Sequence, residues 1–137
     1  MMRNERNKKI EEEIVFHFFA RNRIDRALFL INKNNRTNDL FDYLQDKYLD
    51  QNKMDMIPYN YLREQDIFKE ISKKSHCVRP YFFSYGLKGY ISMEELNLLD
   101  MMEFQETIIY FGNGIGYFQA HEKGGSRERF ILKNNIV

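Results

Sequence analysis

The chain has one cysteine, Cys77, two prolines, seven glycines and no tryptophan among its 137 residues. A lone cysteine excludes an internal disulfide and points towards a reducing compartment. No apolar run approaches the ~20 residues that a membrane-spanning helix requires. The apolar core of a signal peptide is missing as well, because Glu11, Glu12 and Glu13 interrupt the N-terminal region. The expectation is a cytoplasmic protein that stays off the membrane. Charge of one dominant sign is also lacking. Twenty-one basic side chains face 20 acidic ones, for a net charge of +1, so composition selects no class of partner. With no repeat, no low-complexity segment and no shift in composition, one domain over 1–137 is expected, frayed over 1–9.

Asn, Ile, Lys, Phe and Tyr are abundant, a mix that follows AT-rich coding and suits a bacterium or a phage. The charge is mildly segregated. Residues 1–36 hold nine basic side chains against five acidic, 76–106 hold two against five, and 107–137 hold four against two.

The most legible stretch runs from Ser92 to Leu132. Ser92 followed by Glu95 is a capping box, and Glu94 and Glu95 suit the positive end of a helix. Leu96, Leu99 and Met102 then continue an apolar face, predicting a helix over 93–104. Two alternating runs flank Asn113-Gly114, which suits a two-residue type I′ hairpin turn. That register sets Ile109 opposite Phe118, Tyr110 opposite Tyr117 and Gly116 opposite Phe111. A second turn leads to a third strand over 127–132.

Upstream, Ile10, Ile14 and Phe18 form one helical stripe, while Ile24, Ala27, Leu28 and Ile31 form another at a different phase. This predicts a break near Asn22. Leu40, Leu44 and Tyr48 predict a helix over 39–49, then a polar connection over 50–57. Pro58 is expected to open a further helix reaching about Lys73. Pro80 allows Tyr81–Tyr85 only as a short edge strand. The fold class expected is therefore α+β. N-terminal helices pack on a C-terminal three-stranded antiparallel meander, with room for a fourth short edge strand.

No motif carries a recognisable reaction. Gly89–Glu95 looks like the end of a calcium-binding loop. Counting back, however, puts Ser84, Gly86 and Lys88 where a hard cation needs carboxylates. Gly112–Gly116 resembles a phosphate-binding glycine loop but leads into a strand, not a helix. Cys77 adjoins His76, and neighbours in an extended segment point to opposite faces. A small enzyme using Cys77 would need His17 or His121 brought to it by the fold. The three histidines have no metal-ligand spacing, so neither metal nor cofactor is expected.

Two binding readings remain. Tyrosines crowd the acidic middle of the chain, and such surfaces suit a basic protein partner. Asp39, Asp42, Tyr43, Asp46 and Asp50 are the candidate partner-binding residues of a small non-enzymatic protein-binding module, such as an immunity, inhibitor or antitoxin protein. The alternative is winged-helix-like nucleic-acid binding through Lys123, Arg127, Arg129 and Lys133, with basic and aromatic side chains interleaved on the last strands.

Overall fold

The computed structural model describes residues 6–33, 36–58, 63–76, 79–124 and 126–134. Among these residues four α-helices form: α1 Lys8–Phe18, α2 Ile24–Asn32, α3 Glu64–Ser75 and α4 Met93–Leu98. Six strands form: β1 Met54–Ile57, β2 Tyr81–Ser84, β3 Leu87–Tyr90, β4 Thr107–Tyr110, β5 Ile115–Lys123 and β6 Ser126–Lys133. They make one antiparallel sheet in the order β1-β6-β5-β4-β2-β3.

This corrects the expected fold. The sheet has six strands, and helices are interleaved with strands along the chain; the fold is not a helical bundle over a three-stranded meander. The reason is burial on both faces. Tyr81, Phe83, Ile108, Tyr110, Phe118, Phe130 and Leu132 face α1, α2 and the 40–49 segment. Their neighbours Phe82, Ile109, Tyr117 and Ile131 face α3, α4 and Met101. Side chains alternate between the faces with the pleat. A strand covered on both sides therefore reads as a continuous apolar run rather than an alternating one. All four residues of β2 and all four of β4 are buried. β2 is thus an interior strand, paired with β3 on one side and β4 on the other. Pro80 lies just outside it and costs the ladder no donor, while its carbonyl accepts from Ile91 N–H at 2.9 Å. The polar connection over 50–57 contains β1, which pairs with β6 at a sheet edge.

The chain turns between α1 and α2 close to where the helical phase changes. Asn7 caps α1, which ends at Phe18, and a 3₁₀ turn at Arg21–Arg23 precedes α2. Glu11, on the buried side of α1, is fully buried and accepts from the Arg6 guanidinium at 2.9 Å and from the Tyr81 hydroxyl. α3 begins at Glu64 rather than at Pro58, and Tyr59, Tyr61 and Leu62 lie outside the described residues.

The hairpin between β4 and β5 shows a finer correction. Asn113 and Gly114 both have positive φ, as the turn requires, but so does Gly112 at +81°. Ile115 accepts from Phe111 N–H and donates to the Gly112 carbonyl, so the turn holds three residues, Gly112–Gly114, rather than two. The extra residue slips the register by one. Ile109 faces Tyr117 and Tyr110 faces Gly116. The room left by Gly116 is filled by the Phe18 ring, 3.3 Å from where a Cβ would stand. Ser92 does cap α4, accepting from Glu95 N–H at 3.0 Å, but the helix stops at Leu98 and a 3₁₀ turn covers Met101–Glu103.

Candidate functional site

The segment expected as a helix over 39–49 is not an α-helix. A 3₁₀ turn at Thr37–Leu40 is followed by a π-helical turn at Leu44–Tyr48. The cause lies 62 residues away in sequence. An α-helix would give the Leu44 amide to the Leu40 carbonyl. Instead the Glu106 carboxylate takes it at 2.8 Å, and the Leu40 carbonyl accepts from Tyr43 N–H. Leu40, Phe41, Leu44, Tyr48 and Leu49 still reach the core, so Asp42, Tyr43, Asp46 and Lys47 are left on the surface.

Glu106 itself is buried, 4 % exposed, at the start of β4. Burial pushes its carboxyl up to about 7. The backbone N–H groups of Leu44 and Gln45 oppose that rise, and the charges of Asp46 and Asp42 add to it. Three carboxylates therefore bear on one another here. Neither Asp42 nor Asp46 has an ion-pair partner among the described residues. Beside them opens a groove of about 270 Å³, with Asp42 and Glu103 on its rim and Phe41, Tyr85, Phe104 and His121 in its walls. Tyr85, at the β2–β3 turn, is 62 % exposed, and Tyr43 is 46 % exposed with the Lys47 ammonium 4.3 Å from its ring centre. His121 Nδ1 shares a 2.9 Å hydrogen bond with Gln105 Oε1. The arrangement is acidic, aromatic and open, which suits a cationic side chain of another molecule.

Of the five acidic-face candidates, Asp42 lines this groove, while Tyr43 and Asp46 lie exposed on the same segment and Asp46 acts with Asp42 on the Glu106 carboxyl. Asp39 is exposed but pairs with Arg36 at 2.9 Å, and Asp50 caps a turn through Asn52 N–H. Tyr85, one of the tyrosines of the acidic middle, lines the groove with Glu103 and His121, while Glu106 holds Leu44; the last three were not read from the sequence as part of this face. The four come from three separate stretches, and only the fold joins them. The one available signal was Glu106, a carboxylate set directly before the apolar run Thr107–Phe111.

The basic candidates do not share a surface. Arg127 and Arg129 are each 8 % exposed and point towards the α3 side of the sheet. Arg129 pairs with Glu64 at 2.9 Å, and Arg127 Nη1 donates to the Met101 carbonyl at 2.8 Å. Lys123 and Lys133 lie at opposite ends of the β5–β6 ladder, and Lys133 pairs with Asp55 at 3.4 Å.

Cys77 lies outside the described residues. His17 and His121 occupy different parts of the fold. His17 packs on Tyr110, with Glu13 3.9 Å away, and its pKa is lowered by burial, which the charge of Glu13 opposes and that of Lys53 assists. Among the described residues no group of three or more His, Cys, Asp or Glu side chains could hold a metal ion, and no helix is long and apolar enough to cross a membrane. Compared with protein-family models, with curated proteins and with solved structures, the chain finds no match.

Proposed function

We propose that the chain is a small non-enzymatic protein-binding module whose acidic groove receives a basic segment of a partner protein, as an immunity, inhibitor or antitoxin protein does. The observation that carries this reading is Asp42, without an ion-pair partner among the described residues, lining a groove with the exposed ring of Tyr85, next to the exposed Tyr43 and Asp46 of the same segment. Unpaired carboxylates at a surface groove attract cations and speed their encounter. Exposed tyrosines supply contact area at low entropic cost. The inward placement of Arg127 and Arg129 weighs against the nucleic-acid alternative, because neither guanidinium is free to meet a phosphate backbone.

The test uses a panel of Lys- and Arg-rich peptides, followed by amide NMR and by stopped-flow kinetics. Binding peptides should shift the resonances of residues 41–46, 84–85 and 103–106. Asp42→Lys with Asp46→Lys should slow association at least tenfold at low salt, and the difference should shrink as salt screens the charges over roughly 8 Å. Tyr43→Ala and Tyr85→Ala should instead speed dissociation. Peptide shifts that map elsewhere, or an association rate untouched by the double reversal, would sink the proposal. So would strong salt-dependent binding of single- or double-stranded nucleic acid with no response to basic peptides.

A further inference from the structure

The face of the sheet under α3 holds a buried cation that is only partly satisfied. Arg127 is 8 % exposed, and Nη1 donates to the Met101 carbonyl at 2.8 Å. Its Nε and Nη2 make no hydrogen bond among the described residues. A guanidinium cannot escape burial by losing its proton. Lys88 does have that route, and burial brings its ammonium down to about 8. A buried charge left unpaired is strongly destabilising, and native structures rarely retain one.

The acceptors around Arg127 are already engaged. Gln119 Oε1 takes the Tyr117 hydroxyl, and Gln119 Nε2 is itself a donor to the carbonyls of Met101, Phe104 and Gln105. The Glu64 carboxylate holds Arg129. Glu122, opposite Arg127 across the β5–β6 ladder, is exposed. Arg127 thus has no ion-pair partner of its own among the described residues. Burial is the main cause of the raised Tyr117 phenol pKa; the charge of Glu64 adds to the rise, and those of Arg129 and Arg127 oppose it.

The geometry of the unpartnered donors identifies what would satisfy them. Nε–H and the N–H of Nη2 beside it lie on one edge of the guanidinium plane and point the same way. That edge matches two oxygens of one carboxylate, phosphate or sulfate. A second cation is excluded by charge, and a halide engages the fork with a single atom. We propose that Arg127 is the anchor of a binding site for a small oxyanion, held side-on by Nε and Nη2 between the sheet and the Met101–Glu103 turn. Nε and Nη2 are themselves sealed from bulk solvent, which leaves no approach for a polymer backbone.

The experiment follows the arginine Nε–Hε resonances of the ¹⁵N-labelled protein while sodium phosphate, sodium sulfate or sodium acetate is added, with sodium chloride at matched ionic strength as the reference. The expected result is a saturable downfield shift of the Arg127 resonance with at least one oxyanion and none with chloride, accompanied by a rise in melting temperature, since an ion that binds only the folded state stabilises it. Response to phosphate and sulfate identifies a tetrahedral ligand; response to acetate alone identifies a carboxylate. Arg127→Met should abolish the melting shift. Arg127→Lys keeps the charge but not the fork, and should weaken binding at least tenfold if the methionine variant fails to fold. The proposal is overturned if none of the three ions moves the Arg127 resonance saturably, or if Arg127→Lys responds as the wild type does.

Discussion

Replacing Glu106 by Gln probes both the fold and the groove. The Glu106 carboxyl is pushed from its ordinary value of 4.5 up to about 7. At roughly 1.4 kcal/mol per pH unit, that displacement is worth about 3 kcal/mol. The sign follows from which state holds the proton. Between pH 4.5 and 7 the folded protein retains a proton that the unfolded chain has released. Stability from this group is therefore fully present below pH 4.5, falls as pH rises through that window, and is lost above about pH 7. In the Glu106→Gln variant the amide side chain keeps a carbonyl oxygen for the Leu44 N–H but cannot ionise. At pH 5 the variant should match the wild type or fall slightly below it. At pH 8 it should be more stable by about 2–3 kcal/mol, on the order of 10 °C in melting temperature for a domain of this size. Urea unfolding of both proteins at closely spaced pH values measures the difference directly, and titrations elsewhere in the chain cancel in it. Asp42→Asn with Asp46→Asn, made on the wild-type background, should move the transition to lower pH, because two repelling charges are gone. Parallel stability curves for wild type and Glu106→Gln between pH 5 and 8 would refute the account of the buried carboxylate.

Two predictions concern the turns. Gly114→Val should cost more than ~1 kcal/mol, because a β-branched residue resists positive φ; φ here is +73°, and a Cβ would stand 3.1 Å from Asn134 Cβ. An unchanged melting temperature would contradict the turn geometry. Ser92→Ala should cost about 0.5–2 kcal/mol through loss of the α4 cap. Ser84→Ala should cost about 1 kcal/mol, since the Ser84 hydroxyl is buried against Thr107 Oγ1 at 2.8 Å. Chemical denaturation of the two serine variants checks both values.

What the sequence shows clearly is local. The Ser92 cap, the positive-φ turn at Asn113-Gly114 and the change of phase between α1 and α2 each depend on a few adjacent residues, and each has a counterpart in the structure. The failures come from distant partners. The Tyr81-Phe82-Phe83 run was held to the sheet edge by Pro80, although a continuous apolar run is itself the mark of a strand covered on both faces. β1 reads Met-Asp-Met-Ile and is strand only because β6 lies beside it. The hairpin register turned on Gly112, whose positive φ added one residue to the turn. At the candidate site, Asp42, Tyr43 and Asp46 could be read as an acidic, aromatic cluster. Glu106 could not be tied to them, because nothing in the sequence reveals that its carboxylate intercepts the Leu44 amide. Arg127 and Arg129 alternate on a strand, which defines a shared face but not whether that face meets water.

The pairing of β1 with β6 has a consequence for how the protein is made. Met54–Ile57 find their partners at Arg129–Leu132, and the layer around α1 and α2 closes on Phe118, Phe130 and Leu132. A nascent chain still awaiting those residues has helices with no completed surface to cover and a first strand with no neighbour. Completion of this fold therefore waits on β6. Closing loops of many tens of residues, rather than forming helices, limits the rate of such a topology, and a chain that lacks β6 exposes apolar surface of the kind that drives association between copies.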